Sequence, residues 1–200
     1  MSKTVEFIFD FGSPNAYFAY RALAPMLERT GARLKVIPCL LGGIFKATGN
    51  QPPMMAFNGV KGKLEYDRLE IERFIRKHQL DRFVFNPNFP VNTLMLMRGA
   101  IAAQAEGKLD AYLEAGLVCM WEKGLKMDDP EVFVAGLTDS GLDGRAILER
   151  TSDPEVKAAL AANTAAAVER GVFGIPTFFV GDEMFFGKDR LQQVEEELMA

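Results

Sequence analysis

Val5-Glu6-Phe7-Ile8-Phe9-Asp10-Phe11-Gly12-Ser13-Pro14 decides how the rest of the chain is read. Val5 to Asp10 is short and rich in β-formers, with Glu6 inside an otherwise apolar run, and this predicts a strand. Gly12, Ser13 and Pro14 end it. Ser13 suits a helix N-cap, and Pro14 suits the first helical turn, where the missing N–H has no partner to lose. Tyr17, Ala19, Tyr20, Leu23, Ala24 and Leu27 then recur at helical spacing up to Arg29, and Gly31 closes the helix. Leu34 to Pro38 is a second strand. A strand, helix and strand of this length form a βαβ unit, so the two strands should be parallel.

Outward from this unit, residues 39–59 hold Gly42, Gly43, Gly49, Asn50, Pro52, Pro53, Asn58 and Gly59. Such density of Gly and Pro predicts a long loop with at most one short helix, Ile44 to Ala47. From Lys61 to Gly171 no strand is evident. Helices are expected at 61–78, 92–106, 108–123, 130–138, 143–150 and 154–170, with Asp128-Asp129-Pro130 and Ser152-Asp153-Pro154 as helix starts. The chain then returns to β. Thr177 to Val180 and Glu183 to Phe186 form a hairpin around Gly181-Asp182, and Lys188 to Met199 forms a closing helix. No repeat or low-complexity tract appears, and the Ala-rich stretch at 158–167 is read as helix propensity. The expected fold is α/β: a thioredoxin-like βαβ…ββα core with a large all-helical insertion. Residues 1–60 and 172–200 would form the thioredoxin-like domain and 61–171 the insertion.

Composition narrows the function. Of 200 residues, 48% are hydrophobic and 25% charged, which excludes a disordered chain. The 23 basic against 27 acidic residues give a net charge of −4, which argues against a nucleic-acid partner that would need a basic face. The 16 Phe against four Tyr and one Trp are compatible with an apolar pocket for an aromatic ligand. Cys39 and Cys119 form no CxxC motif and no disulfide framework, and are read as buried, reduced thiols. The start Met1-Ser2-Lys3-Thr4-Val5-Glu6 does not read as a secretory leader, because Asp10 interrupts the apolar run. No segment is long and apolar enough for a membrane span. A soluble, cytoplasmic protein with no membrane partner is expected.

Four places could carry chemistry. Ser13 opens the first helix, where N–H groups and the helix dipole favour an anion. By default it is only a good cap; its functional alternative is a hydroxyl donating to a thiolate brought by a ligand. A hydrolase would need a base beside it. The single His, His78, lies among Arg76, Lys77 and Arg82 and is read as a surface residue, and no G-x-S-x-G motif surrounds Ser13. One His and two scattered Cys do not suggest a metal site. Gly174-Ile175-Pro176-Thr177-Phe178 by default starts a strand with trans Pro176. A cis bond would instead leave the Ile175 main chain to pair with an extended peptide. Phe186-Gly187-Lys188-Asp189-Arg190 leads from hairpin to helix, with free N–H groups for a carboxylate and Asp189 for an ammonium. Asn50, in Gly49-Asn50-Gln51-Pro52-Pro53, offers donors and an acceptor or is a plain turn residue. Lys46, Lys61 and Lys63 surround that loop.

Taken in order, Phe9-Asp10-Phe11-Gly12-Ser13-Pro14, Gly49-Asn50-Gln51-Pro52-Pro53, Phe173-Gly174-Ile175-Pro176-Thr177-Phe178 and Gly187-Lys188-Asp189-Arg190-Leu191 resemble the 2-hydroxychromene-2-carboxylate isomerases over essentially the whole chain. These belong with the kappa-class glutathione transferases in the DsbA-like branch of the thioredoxin superfamily. Where oxidoreductases of that branch carry Cys-Pro-x-Cys, this chain reads Ser13-Pro14-Asn15-Ala16, so dithiol exchange is not available. The resemblance implies a homodimer, glutathione as cofactor and a small aromatic acid as substrate. It implies that Ser13 is catalytic and holds the glutathione sulfur. Asn50, Ile175 with Pro176, and Phe186, Gly187, Lys188 and Asp189 would contact the rest of the tripeptide. Lys46, Asn58 and Phe89 would face the aromatic acid; Phe89 stands near a position where naphthalene-pathway isomerases carry a Tyr, and Phe185-Phe186 where two Trp often occur. The implied reaction is redox-neutral isomerisation of 2-hydroxychromene-2-carboxylate to trans-o-hydroxybenzylidenepyruvate in aromatic catabolism. The alternatives are a kappa-like transferase or peroxidase that consumes glutathione, and a non-catalytic thioredoxin-like module that binds glutathione or a peptide.

Overall fold

A computed structural model describes residues 3–200. The leaderless reading of the N-terminus rests in part on residues 1–2, outside the described residues. Four strands form one sheet in the order β2-β1-β3-β4. β1 (Thr4–Phe9) runs parallel to β2 (Arg33–Pro38), with Thr4 opposite Arg33 and Phe9 opposite Pro38. β1 pairs antiparallel with β3 (Thr177–Val180), placing Ile8 opposite Thr177. β3 returns antiparallel as β4 (Glu183–Phe186). The parallel pair requires a crossover, and α1 (Pro14–Thr30) supplies it. Ser13 caps α1 from an extended conformation, accepting from the Ala16 N–H at 3.3 Å. At the other end Gly31 takes a φ of 64°, the left-handed conformation a glycine adopts without strain.

Six helices fall between β2 and β3 beyond residue 60: α4 (Lys63–His78), α5 (Leu94–Ala105), α6 (Leu109–Trp121), α7 (Pro130–Asp139), α8 (Gly144–Arg150) and α9 (Pro154–Glu169). Each lies where its periodicity and its start signals placed it, to within about two residues, the usual uncertainty of helix ends. Asp129 caps α7 by accepting from the Glu131 and Val132 N–H groups, and Asp143 caps α8 through Ala146. α5 and α9 pack on β2, and α10 (Leu191–Met199) packs on α1, β1 and β3. One continuous core results, in which Phe7, Phe9, Phe11 and Phe178 of the sheet side join Tyr112, Trp121 and Phe133 of the helices.

Three expectations change. Residues 39–59 are more helical than their Gly and Pro content suggests, with α2 (Leu41–Thr48) and α3 (Pro53–Ala56). Gly43 sits against α9, where a Cβ would come within 3.1 Å of the Thr164 side chain. Close packing there overrides the low helix propensity of two glycines. The closing helix begins with a 3-10 turn, Lys188–Arg190, before α10 proper. His78 is not a plain surface residue: it is half-buried, its ring 4.2 Å from that of Phe74. Burial first, then the charges of Lys77 and Lys188, hold its pKa below the ordinary imidazole value.

The helical block reaches the Ser13 turn through two close approaches. The ring of Phe11 lies over Gly116 of α6, in the space a Cβ would occupy. The Trp121 indole N–H donates to the Phe11 carbonyl at 2.8 Å. Gly116→Ala should therefore overpack this contact and lower unfolding free energy by roughly 1–3 kcal/mol. Denaturant unfolding checks this, and an unchanged midpoint would show that Phe11 can move aside freely.

Candidate functional site

The turn after β1 folds around Asp10. Its Oδ1 accepts the Gly12 N–H at 2.8 Å, and the Ser13 N–H donates to the Asp10 carbonyl at 3.3 Å. This sets Ser13 at the mouth of α1, where Pro14 has no N–H and the Asn15 N–H has no protein acceptor among the described residues. A free N–H at a helix start favours negative charge beside it. The Ser13 side chain is only 5% exposed, and its hydroxyl donates to the Ile175 carbonyl at 2.9 Å.

Ile175 belongs to the segment entering β3, and the Ile175–Pro176 bond is cis, contrary to the trans default of the sequence. The Ile175 N–H has no protein acceptor among the described residues. The Pro176 carbonyl takes the Gly187 N–H at 2.9 Å, which ties the end of β4 to the same place. Gly187 has a φ of 99°, a conformation an L side chain rarely adopts, so the chain can double back here only with glycine. The exposed rings of Phe173 and Phe186 meet at 4.5 Å between centroids. Asn50, just past α2, reaches in from the other side and donates from Nδ2 to the Phe173 carbonyl at 2.7 Å. Six residues expected to contact one ligand, Ser13, Asn50, Ile175, Pro176, Phe186 and Gly187, are thus joined in one hydrogen-bonded and packed group.

Lys188 and Asp189 follow directly, but Lys188 turns elsewhere. Its side chain is buried, its Nζ 2.7 Å from Asp189 Oδ1 and 4.9 Å from the Phe74 ring centroid. Both residues line a cavity of about 450 Å³ between α1, α4 and α10, shared with Met26, Phe74, His78 and Glu195 and not with Ser13. His78 therefore stands at that cavity and gives Ser13 no base.

The aromatic-acid residues are dispersed. Phe89 is half-buried, 5.2 Å from Phe85 and 6.1 Å from Trp121 between centroids, and so adjoins the Ser13 turn through Trp121. Lys46 is exposed in the last turn of α2. Asn58 is exposed and edges a separate hollow of about 220 Å³ with Val60 and Leu64. Sequence reasoning passed over Asp10, Trp121 and the Phe173 carbonyl. Asp10 carried a signal, a charged residue ending an apolar strand; the other two act through packing and main chain, which have no signature in sequence.

No group of three or more His, Cys, Asp or Glu able to hold a metal occurs among the described residues, and no helix is long and apolar enough to cross a membrane. Cys39 is buried, and burial, with the nearby Asp10 charge, pushes its thiol up to about 12. Burial likewise raises the Cys119 thiol.

A four-stranded thioredoxin sheet, a cis-proline entering its third strand and a serine in place of the first redox cysteine define a thioredoxin-fold protein without a dithiol pair. The chain belongs to the DSBA-like thioredoxin family, whose model matches residues 4–199. Its resemblance to the 2-hydroxychromene-2-carboxylate isomerases within that family holds over the full chain. It is 29% identical over 199 residues to the 2-hydroxychromene-2-carboxylate isomerase of Sphingobium xenophagum, covering 100% of both chains. A solved 2-hydroxychromene-2-carboxylate isomerase superimposes with a TM-score of 0.82 at 30% identity, over 96% of this chain and 93% of that one. Glutathione S-transferase kappa 1 of Rattus norvegicus is 26% identical over 95% of this chain and 88% of its own.

Because the thiolate is the reactive form and both thiols are held protonated, neither Cys39 nor Cys119 should react with a disulfide reagent in the native protein at pH 8. Both should titrate after denaturation. Rapid native labelling of Cys39 would contradict the burial seen here.

Proposed function

We propose that the protein is a glutathione-dependent isomerase acting on 2-hydroxychromene-2-carboxylate or a similar fused-ring aromatic acid. The observation that carries this reading is the Ser13 hydroxyl at the start of α1, 2.9 Å from the Ile175 carbonyl, beside an Ile175 N–H with no acceptor among the described residues. The residues fit the tripeptide. An N–H and a carbonyl on one residue pair with extended peptide main chain as an edge strand does. Ser13 and the Asn15 N–H suit a thiolate, Asn50 offers a further contact, and Phe186 and Gly187 suit the γ-glutamyl side, whereas the Lys188 side chain, paired with Asp189 at the separate cavity, is turned away from it. The relatives named as isomerases and as kappa transferase support the same assignment.

Glutathione, when bound, supplies a thiolate that adds reversibly to a conjugated carbon, frees a double bond to rotate, and leaves unchanged. The chain contributes binding, orientation and charge stabilisation. Ser13 has one hydroxyl hydrogen, which rests on the Ile175 carbonyl. Main-chain pairing at Ile175 gives that carbonyl another donor, so the Ser13 hydrogen can turn to the sulfur. A charge-assisted bond of this kind favours the thiolate and lowers its pKa. Phe89, half-buried and packed on the fully buried Trp121, offers an apolar face near the Ser13 turn. Lys46 and Asn58, held apart from this face, are given no part in the step. The reading carries with it a cytoplasmic homodimer.

The kappa relative favours one other reading, a transferase or peroxidase using the same thiolate. Stoichiometry separates the two, since isomerisation returns glutathione and transfer consumes it. With 2-hydroxychromene-2-carboxylate and catalytic glutathione, turnover should continue without loss of the thiol. Ser13→Ala should slow it by roughly 10- to 1000-fold, the scale of one lost electrostatic donor. An unchanged rate in that variant would reject the role given to Ser13, and a conjugate or glutathione disulfide as product would favour the transferase.

A further inference from the structure

Asp10 is fully buried, yet both of its carboxylate oxygens are occupied. Oδ1 takes the Gly12 N–H at 2.8 Å and Oδ2 takes the Leu41 N–H at 2.7 Å. The Thr93 hydroxyl faces the same group and favours its charged form, while burial, the larger effect, raises its pKa. A buried carboxylate is costly unless its bonds repay the lost hydration. Leu41 is the first residue of α2, and Leu40 at the N-cap position makes no side-chain capping bond. Asp10 therefore caps α2 from a different element, putting negative charge at the positive end of the helix dipole.

The bonds on either side of this cap close a circuit. Asp10 holds Gly12, and with it the turn that presents Ser13. The Ser13 hydroxyl donates to the Ile175 carbonyl at 2.9 Å. Two residues earlier, the Phe173 carbonyl receives Asn50 Nδ2 at 2.7 Å. Asn50 follows Gly49, which ends α2, and α2 leads back to Leu41 and Asp10. Eight residues of helix are a stiff arm about 12 Å long. Its start is fixed to the Ser13 turn at one end, and Asn50 reaches the Ile175 segment at the other.

We propose that Asp10 is a positioning residue for glutathione, fixing the α2–Asn50 arm against the Ser13 turn so that both sides of the tripeptide site keep one spacing. This rests on the reading of Ser13 and Asn50 as that site. A carboxamide accepts at one atom only, so Asp10→Asn turns an NH₂ group against one of the two N–H donors. Leu41→Pro is narrower. It deletes the Leu41 N–H at the first helical position, where proline is tolerated. Leu40, at φ −90° and ψ 110°, already has the backbone required before proline.

The experiment is calorimetric titration of the full-length protein with reduced glutathione, reading the dissociation constant and the bound fraction separately. Both variants should bind roughly 10-fold more weakly at near-unit stoichiometry, the scale of one lost charge-assisted hydrogen bond. Asn50→Ala should weaken the wild type but add little in the Leu41→Pro background, since both changes act through one arm. A dissociation constant that stays within about twofold of wild type, with only the bound fraction or the thermal midpoint lowered, would reduce Asp10 to a stabilising cap and overturn the proposal. Full additivity of Asn50→Ala and Leu41→Pro would overturn it as well. If Asp10→Asn does not fold, Leu41→Pro decides. Wild type that takes up no glutathione would instead sink the site reading, and this inference with it.

Discussion

The hydrogen bond from the Ser13 hydroxyl to the Ile175 carbonyl joins residues 162 positions apart. It places the start of α1 against the entry to β3, and everything else in the site is arranged around it. The bond exists because β1 and β3 are neighbours in the sheet. The end of β1 and the beginning of β3 lie at the same end, with Ile8 opposite Thr177. The helix that starts there has one N–H without a protein acceptor among the described residues, that of Asn15. The hydroxyl is nearly buried, so a donor there acts in a less screened medium than a surface serine would.

The long helical block is tied to this edge. Phe11 rests on Gly116, Trp121 holds the Phe11 carbonyl, and Thr93 at the start of α5 meets Asp10. Main-chain conformation next to Ser13 is thus determined by side chains more than 80 residues away. On the opposite side, exposed Phe173 and Phe186 pack on each other over Gly174, whose missing Cβ leaves room for the Phe186 ring. The 450 Å³ cavity beside Lys188 is a different place. Its mixed charges already pair, Arg29 with Glu195 and Lys188 with Asp189.

The elements were legible because their signals are local. Ser13 before Pro14, Asp129 before Pro130 and the apolar spacing of α1 depend on neighbours within a turn or two. Residues 39–59 were misread because the helix there is stabilised from outside, by α9 against Gly43 and by Asp10 at the α2 start. His78 was misread for a related reason. Its charged neighbours in sequence suggest a solvated face, while Phe74, one turn earlier on the same face, covers its ring and Lys77 shares its cavity. Ser13, Asn50 and Ile175, named from motifs, come together through side-chain donors to the Ile175 and Phe173 carbonyls. Lys46, Asn58 and Phe89 were named together and are not brought together.

By itself the sequence determined the order βαβ, helices, ββα, the absence of a redox cysteine pair at 13 and 16, and the identity of the hydroxyl at the helix start. Those follow from residue type and short-range spacing, which the chain carries in one dimension. The tertiary structure alone decided where the Ser13 hydrogen rests, which way Lys188 turns, that Ile175–Pro176 is cis, and that one buried carboxylate caps a helix it does not belong to. Each of these is a choice among partners distant in the chain, and the choice is made by which surfaces the folded sheet and helices bring into contact.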